Sequence, residues 1–345
     1  MPTLLYSLAM LLCFVLLARI VDKFFVVSLD RISSDLKLSS DAAGATLMAV
    51  GSSAPELFVA LFAVLKKGNH EAIGIGSIVG SALFNLLGII GMVALVRKTV
   101  LTWQPVVRDI MFYLIAVALL LWGIFDGSFS MWNAVAFLIV YVIYVVAVVR
   151  WRKIFPYKDH EYTADETTEA EDEAESANVV DKALGLFFPK AERYYLVFFM
   201  SIVLIAGLSW VLVESAIHMA HVLNIPEAII GLTILAVGTS VPDLISSLIV
   251  AKQGRGDMAV SNAIGSNIFD ILVGLGFPFL VAMLLYGGTI NAGGQNLLES
   301  SFILFASVVG FALLLLLKRW KIDWVTGAVL LGLYVFYLAR EIILL

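Results

Sequence analysis

Cysteine and charge are scarce in this 345-residue sequence. A single cysteine, Cys13, leaves no internal disulfide, no cysteine-based zinc site and no redox pair. Only 14% of residues are charged and 61% are hydrophobic, where a soluble domain has roughly 25% and 45–50%. A water-soluble chain so short of charge could not cover its core. This excludes most enzymes built on large soluble domains and indicates a polytopic membrane protein. No basic cluster is dense enough for nucleic acid.

Long apolar runs are abundant. About 20 residues suffice to cross the hydrocarbon core, and ten such runs occur, at 4–28, 42–65, 72–96, 105–124, 130–149, 194–217, 226–251, 257–282, 298–317 and 322–344. They predict an all-α integral membrane protein with ten transmembrane helices. The first run has no basic region before it and no small-residue cleavage site after it, so it is expected to be a retained helix. Alternating the loops between two sides puts nineteen Lys and Arg on one and only Lys66, Lys67 and Arg340 on the other. The basic side is expected to be cytoplasmic, with both termini outside.

The one long connection, 150–193, differs in composition. Nine acids and no Lys or Arg fall between Asp159 and Glu175, so a disordered cytoplasmic loop is expected. It would separate two five-helix units, 1–149 and 194–345. The units share sequence: GATLMAVGSSAPEL at 44–57 matches GLTILAVGTSVPDL at 231–244, and GSIVGSALFN at 76–85 matches SNAIGSNIFD at 261–270. Because five is odd, the second unit enters the membrane from the opposite side. Inverted-topology repeats of this kind are common in secondary transporters, whose sites lie near the midplane.

Glu56, Asp243 and Asp270 fall at mid-membrane positions, where a charged carboxylate costs at least about 2.5–3.5 kcal/mol. No Lys or Arg is predicted at comparable depth, so these acids must be protonated or neutralised by a bound cation. Pro55 and Pro242 immediately precede two of them, and a proline there clashes with the carbonyls of Gly51 and Gly238. Unwound backbone is expected beside Ser52 and Ser53, and beside Thr239 and Ser240. Such freed carbonyls are tolerated at membrane depth only where they are re-satisfied or line a cavity. This is an all-oxygen donor set, suited to a hard cation such as Ca²⁺. Ser81 with Asn85, and Ser266 with Asp270, each share a helical face at i, i+4. Gly76, Gly80 and Gly265 read as close-packing positions, and Asn262 stays ambiguous.

Weaker candidates lie elsewhere. His218 and His221 could bind zinc, although interfacial histidines are the plainer reading. Glu214 reads as interfacial. Arg108 and Asp109 stand at a helix start, where snorkelling is normal. Trp103, Trp320, Trp324, Tyr194 and Tyr195 look like interface anchors.

The repeated segments closely resemble the two alpha repeats of the cation/calcium exchanger superfamily. GSSAPELF at 51–58, GTSVPDL at 238–244 and GSNIFD at 265–270 look most like its potassium-dependent sodium/calcium exchanger branch. The resemblance implies a calcium site on Glu56 and Asp243, flanked by sodium sites. Those would use Ser52, Ser53, Ser81, Thr239, Ser240 and Ser266 with the backbone carbonyls of Ala49 and Ala236, and Asn85 and Asp270 would line the centre. It implies that the first and sixth helices move against the rest to alternate access. Potassium-dependent members have Asp at the position of Asp270 and eukaryotic potassium-independent ones have Asn, which raises potassium coupling here. Microbial relatives can have Asp without clear potassium coupling. No cofactor is implied beyond the transported Ca²⁺, Na⁺ and, on that reading, K⁺. The 150–193 loop has no room for the regulatory calcium-binding domains of animal exchangers.

The expected function is Na⁺/Ca²⁺ antiport by alternating access, with inorganic cations and the lipid bilayer as partners, in a prokaryotic plasma membrane. H⁺/Ca²⁺ exchange on the same scaffold is the alternative, because carboxylates accept protons as readily as cations. An intramembrane aspartyl protease using Asp243 and Asp270 would leave Glu56 and the duplication unexplained. A channel fits a ligand-dense repeat interface less well than a carrier does.

Overall fold

A computed structural model of the chain describes residues 2–35, 49–68, 70–155, 184–185, 188–189, 193–252, 254, 256–292 and 294–343. The acidic run 159–175 lies outside the described residues. So do positions 36–48 at the start of the second predicted span, and Lys37, Lys158, Lys182, Lys190 and Arg255 of the charge map.

Helices make up almost all of what is described. Helix α1 (Pro2–Ile20) passes through a π-helical turn (Val21–Val26) into α2 (Val27–Asp35). Two pieces, α3 (Ala49–Ser52) and α4 (Ala54–Leu65), are followed by α5 (Glu71–Leu83), a π-helical turn (Phe84–Ile89) and α6 (Ile90–Val96). The first half ends with α7 (Trp103–Phe125) and α8 (Met131–Ile154). In the second half α9 (Tyr194–Leu223) leads to α10 (Glu227–Ile230), a π-helical turn (Gly231–Leu235), α11 (Ala236–Thr239) and α12 (Val241–Lys252). Then come α13 (Gly256–Leu272), α14 (Gly276–Tyr286), α15 (Gln295–Leu317) and α16 (Trp324–Ile343).

Among the described residues, eight continuous segments are long and apolar enough to cross a membrane, and α10–α12 forms a ninth that bends by 42°. The predicted span 42–65 is represented by α3 and the 12-residue α4.

Local chemistry sets several helix ends. Ser130 and Asn133 form a reciprocal capping box at the start of α8. Asn224 closes α9 in the left-handed conformation at φ 54°, which asparagine tolerates better than most residues, and Pro226 follows. Asp323 accepts from the Thr326 amide at 3.0 Å before α16, and this bond with Lys318 nearby holds its carboxyl down at about 2.

Short-range contacts sort the loops onto two opposite faces. On one, Thr99–Val100 (β1) pairs with Lys321–Ile322 (β4), Arg97 donates to the Lys252 carbonyl, and Tyr194 donates to Asp35. On the other, Ser128–Phe129 (β2) pairs with Ile290–Asn291 (β3), His70 meets Glu227, and Arg340 meets Glu299.

Apolar packing divides into two clusters. One joins α1, the π turn after it and α9 to parts of α4 and α5; its members include Leu17, Val21, Phe25, Ile205, Leu212 and Ala216. The larger one, including Ile78, Leu86, Tyr113, Ile264 and Phe279, holds most of the other helices.

One expectation is corrected. Arg108 and Asp109 do not snorkel: both are buried, with Arg108 Nε 2.8 Å from Asp109 Oδ1 and the Tyr144 hydroxyl donating to the same oxygen at 3.2 Å. Helix α8 packs over this start of α7, so the pair satisfies itself internally instead of reaching the interface.

Candidate functional site

The two repeated motifs fold alike. Ser53 interrupts the first broken helix at φ −90°, ψ 7°, and Ser240 interrupts the second at φ −86°, ψ 6°. The breaks lie at the expected serines, two residues after the glycines that the proline clash marks. Gly51 and Gly238 stay inside α3 and α11, while Pro55 and Pro242 fall in the first turn of the following helix, where a missing N–H is tolerated. The glycines serve close approach instead. A Cβ on Gly238 would meet the Phe14 ring of α1 at 2.2 Å, and one on Gly51 would meet Leu29 of α2 at 2.8 Å. The first helical segment therefore lies against both breaks.

Glu56 and Asp243 are the third residues of α4 and α12, just past the breaks, and Asp270 comes from α13. All three are fully buried. Among the described residues no Lys, Arg or His forms an ion pair with them, in keeping with the sequence reading.

Hydroxyls and amides knit the acids together across the two halves. Ser240 donates to Glu56 Oε1 at 3.1 Å, so the Ser81 hydroxyl, 2.6 Å away, donates to Ser240. Ser266 donates to Asp243 Oδ1 at 3.5 Å and lies 3.3 Å from Ser52. Asn85 Nδ2 reaches Asp243 Oδ2 at 3.4 Å. Thr239 turns back to the Leu235 carbonyl at 2.9 Å, and the Ala49 carbonyl accepts the Ser53 amide at 3.1 Å. Ala236 is buried at the head of α11.

Several oxygens are buried without a hydrogen-bond partner: Glu56 Oε2, both Asp270 oxygens, Ser53 Oγ and Asn85 Oδ1. Buried acceptors in this state are costly unless something else fills them. Their grouping at the repeat interface gives a hard-oxygen cluster without positive counter-charge. Among the described residues no three Asp, Glu, His or Cys side chains are arranged to hold a metal ion. Hydroxyl, amide and backbone oxygens would therefore supply most of a cation's shell.

Two residues escaped the sequence reading. Asn267 of α13 donates to the Ala82 carbonyl at 3.1 Å and to the Tyr113 hydroxyl at 2.9 Å, and accepts from Asn85 Nδ2 at 3.0 Å. Asn267 stands next to Ser266 inside the repeated motif but aligns with Ala82, so duplication gave no signal. Tyr113, from α7, lies outside the repeated segments altogether.

The remaining candidates fall elsewhere. Glu214 lies at the far end of α9 and pairs with Lys66 and His218, and His218 stacks on Tyr6 of α1 with ring centroids 4.7 Å apart. The Asn262 Oδ1 atom is buried without a partner beside a small cavity that also touches Asp22, Ser52 and Ser246.

The family profile described as "Sodium/calcium exchanger protein" matches residues 6–150 and 193–342, which is most of the chain. The chain belongs to the sodium/calcium exchanger family. Among curated family members, human sodium/potassium/calcium exchanger 4 is 29% identical over 99% of this chain and 81% of its own length. Human sodium/potassium/calcium exchanger 5 is 30% identical over 95% of this chain and 81% of its own length. Among solved structures, the sodium-calcium exchanger NCX_Mj superposes with a TM-score of 0.63 at 25% identity, covering 98% of this chain and 99% of that one. A structure of the H⁺/Ca²⁺ exchanger CAX superposes with a TM-score of 0.70 at 16% identity, over 98% of this chain and 81% of that one, a likeness of fold alone. An exchanger fold makes this an integral, multi-pass transporter and not an enzyme, which removes the protease reading.

Proposed function

We propose that the chain exchanges Na⁺ for Ca²⁺ across a membrane by alternating access, using the oxygen cluster around Glu56, Asp243 and Asp270. The observation that carries the reading is that the fully buried Glu56 and Asp243 stand just past two equivalent helix breaks, with the buried Asp270 on α13, and none of the three has a basic partner among the described residues. Ca²⁺ accepts six to eight oxygens in flexible geometry, and buried hydroxyl and amide oxygens are at hand beside backbone carbonyls at the breaks. One Ca²⁺ or several Na⁺ would offset the same negative charge, so the ions compete for the same ligands. The cluster would cross between faces only when its charge is offset.

In this reading Glu56 and Asp243 hold Ca²⁺, while Ser52, Ser53, Ser81, Thr239, Ser240, Ser266 and the Ala49 and Ala236 carbonyls serve Na⁺. Asn85 and Asp270 line the centre, and Asp270 is where K⁺ would be read if transport is potassium-coupled. The matching breaks at Ser53 and Ser240 and the sorting of loops onto two faces support ten spans in two inverted units, 1–149 and 194–345, joined by a cytoplasmic 150–193 loop. The excess of Lys and Arg on one face supports termini outside, in a plasma membrane of prokaryotic type.

Purified protein in liposomes tests this with ⁴⁵Ca uptake while Na⁺, K⁺ and pH gradients are varied one at a time. Uptake driven by an outward Na⁺ gradient is expected. Uptake that follows pH and ignores Na⁺ would replace this reading with H⁺/Ca²⁺ exchange.

A further inference from the structure

Asn85 has an amide that can face either way, and only one orientation offers oxygen to a cation. Which way it faces is decided two residues away. The Ala82 carbonyl can only accept, so the Asn267 atom 3.1 Å from it must be the NH₂ group. The Tyr113 hydroxyl gives its single proton to that same carbonyl, at 3.3 Å. Towards Asn267 it can therefore only accept, which again requires nitrogen there, at 2.9 Å. With the Asn267 NH₂ fixed, its oxygen faces Asn85 and demands the Asn85 NH₂ at 3.0 Å. Asp243 Oδ2, 3.4 Å from the same nitrogen, asks for the same orientation. The Asn85 oxygen is left on the opposite side, buried and without a hydrogen-bond partner. Asn85 sits in the π-helical turn Phe84–Ile89.

We propose that Tyr113 is a positioning residue for cation binding, acting through Asn267 to hold the Asn85 amide with its oxygen towards the ion. The inference rests on Asn85 being an ion ligand. Tyr113 touches no ion. It comes from a helix outside the repeated segments, and the relay exists on one side of the site only: the position matching Asn85 in the second half is Asp270, a carboxylate with no flip to control. Without the hydroxyl, a single carbonyl orients Asn267, and the reversed Asn85, which presents N–H to the cation, becomes accessible.

The test is Tyr113→Phe in liposome ⁴⁵Ca uptake, alone and combined with Asn85→Ala. The single variant is expected to raise the half-saturating Ca²⁺ concentration about three- to ten-fold, the worth of one hydrogen bond, with the maximal rate and thermal stability nearly unchanged. Asn267→Ser, which removes the acceptor facing Asn85, is expected to do the same. In the Asn85→Ala background neither should have any further effect. Unaltered affinity in Tyr113→Phe, or effects that add to that of Asn85→Ala, would overturn the proposal while leaving the site intact. If Asn85→Ala alone left affinity unchanged, Asn85 would not be a ligand and the proposal would fall with that reading.

Discussion

Glu56 shows how a carboxylate can be kept at membrane depth without a base beside it. One oxygen takes the Ser240 hydroxyl at 3.1 Å, and the other is buried with no partner. Ser240 is in turn held by Ser81, one residue from each half of the chain. Removing that hydroxyl strips the acid of its hydrogen bond. A hydrogen bond to a charged group is worth about 1.5–3 kcal/mol. Ser240→Ala is therefore expected to weaken apparent Ca²⁺ affinity by about ten-fold or more in liposome uptake, whereas Ser201→Ala, whose hydroxyl bonds only the Val197 carbonyl of its own helix, should leave it unchanged. The acids, hydroxyls and prolines of this site were legible in the sequence because two copies with the same flanking chemistry are far less ambiguous than one. Asn267 and Tyr113 were not legible, because their roles depend on which atoms face each other across helices.

At the scale of elements, α5 carries the central Ser81 and must lie close to the π-helical turn Gly231–Leu235 of the other half. Glycine makes that approach possible. A Cβ on Gly80 would come within 2.3 Å of the Leu232 carbonyl oxygen and 2.6 Å of the Ala236 Cβ, and one on Gly231 within 2.6 Å of the Ile73 carbonyl. Backbone cannot yield as a side-chain tip can, and overpacking typically costs about 1–3 kcal/mol. Gly80→Ala is expected to lower the melting temperature in detergent and to impair transport. Gly310→Ala, with nothing within 4 Å of its added methyl, should do neither. The sequence reading of Gly76 and Gly80 as packing positions holds on this ground. The proline clash marks Gly51 and Gly238 as helix-breaking, but a new helix that starts at the proline leaves both glycines helical and puts the breaks at the expected Ser53 and Ser240.

For the whole molecule, the apolar packing falls into two clusters, and the smaller one reaches from α1 and α9 into parts of α4 and α5. Helices α1 and α9 pack on each other and share the smaller cluster, and α1 also lies on the Gly238 break. Near the far end of α9, Lys66 of the loop after α4 pairs with Glu214. If α1 and α9 slide past α4 to alternate access, that contact must be remade in each cycle. Cysteines at Lys66 and Glu214, placed in a Cys13→Ala background that removes the only native thiol, should therefore arrest exchange when joined by a short thiol-reactive cross-linker, and either single cysteine should not. Full transport by the cross-linked protein would mean that α9 and α4 move together. That the chain crosses a membrane many times could be read from its apolar runs, since lipid leaves a chain few ways to cross. Which helices pack together could not, since most of their faces are apolar to lipid and neighbour alike.

The central claim is that the buried oxygens at the two helix breaks are the cation site. Its most direct measurement is ⁴⁵Ca uptake into liposomes under an outward Na⁺ gradient, comparing the unmodified protein with Glu56→Gln and Asp243→Asn at matched reconstitution. Each amide keeps the shape of its acid and removes one negative charge. Loss of Na⁺-driven uptake in both variants, with folding intact, is the predicted result, and normal uptake by either would contradict the assignment.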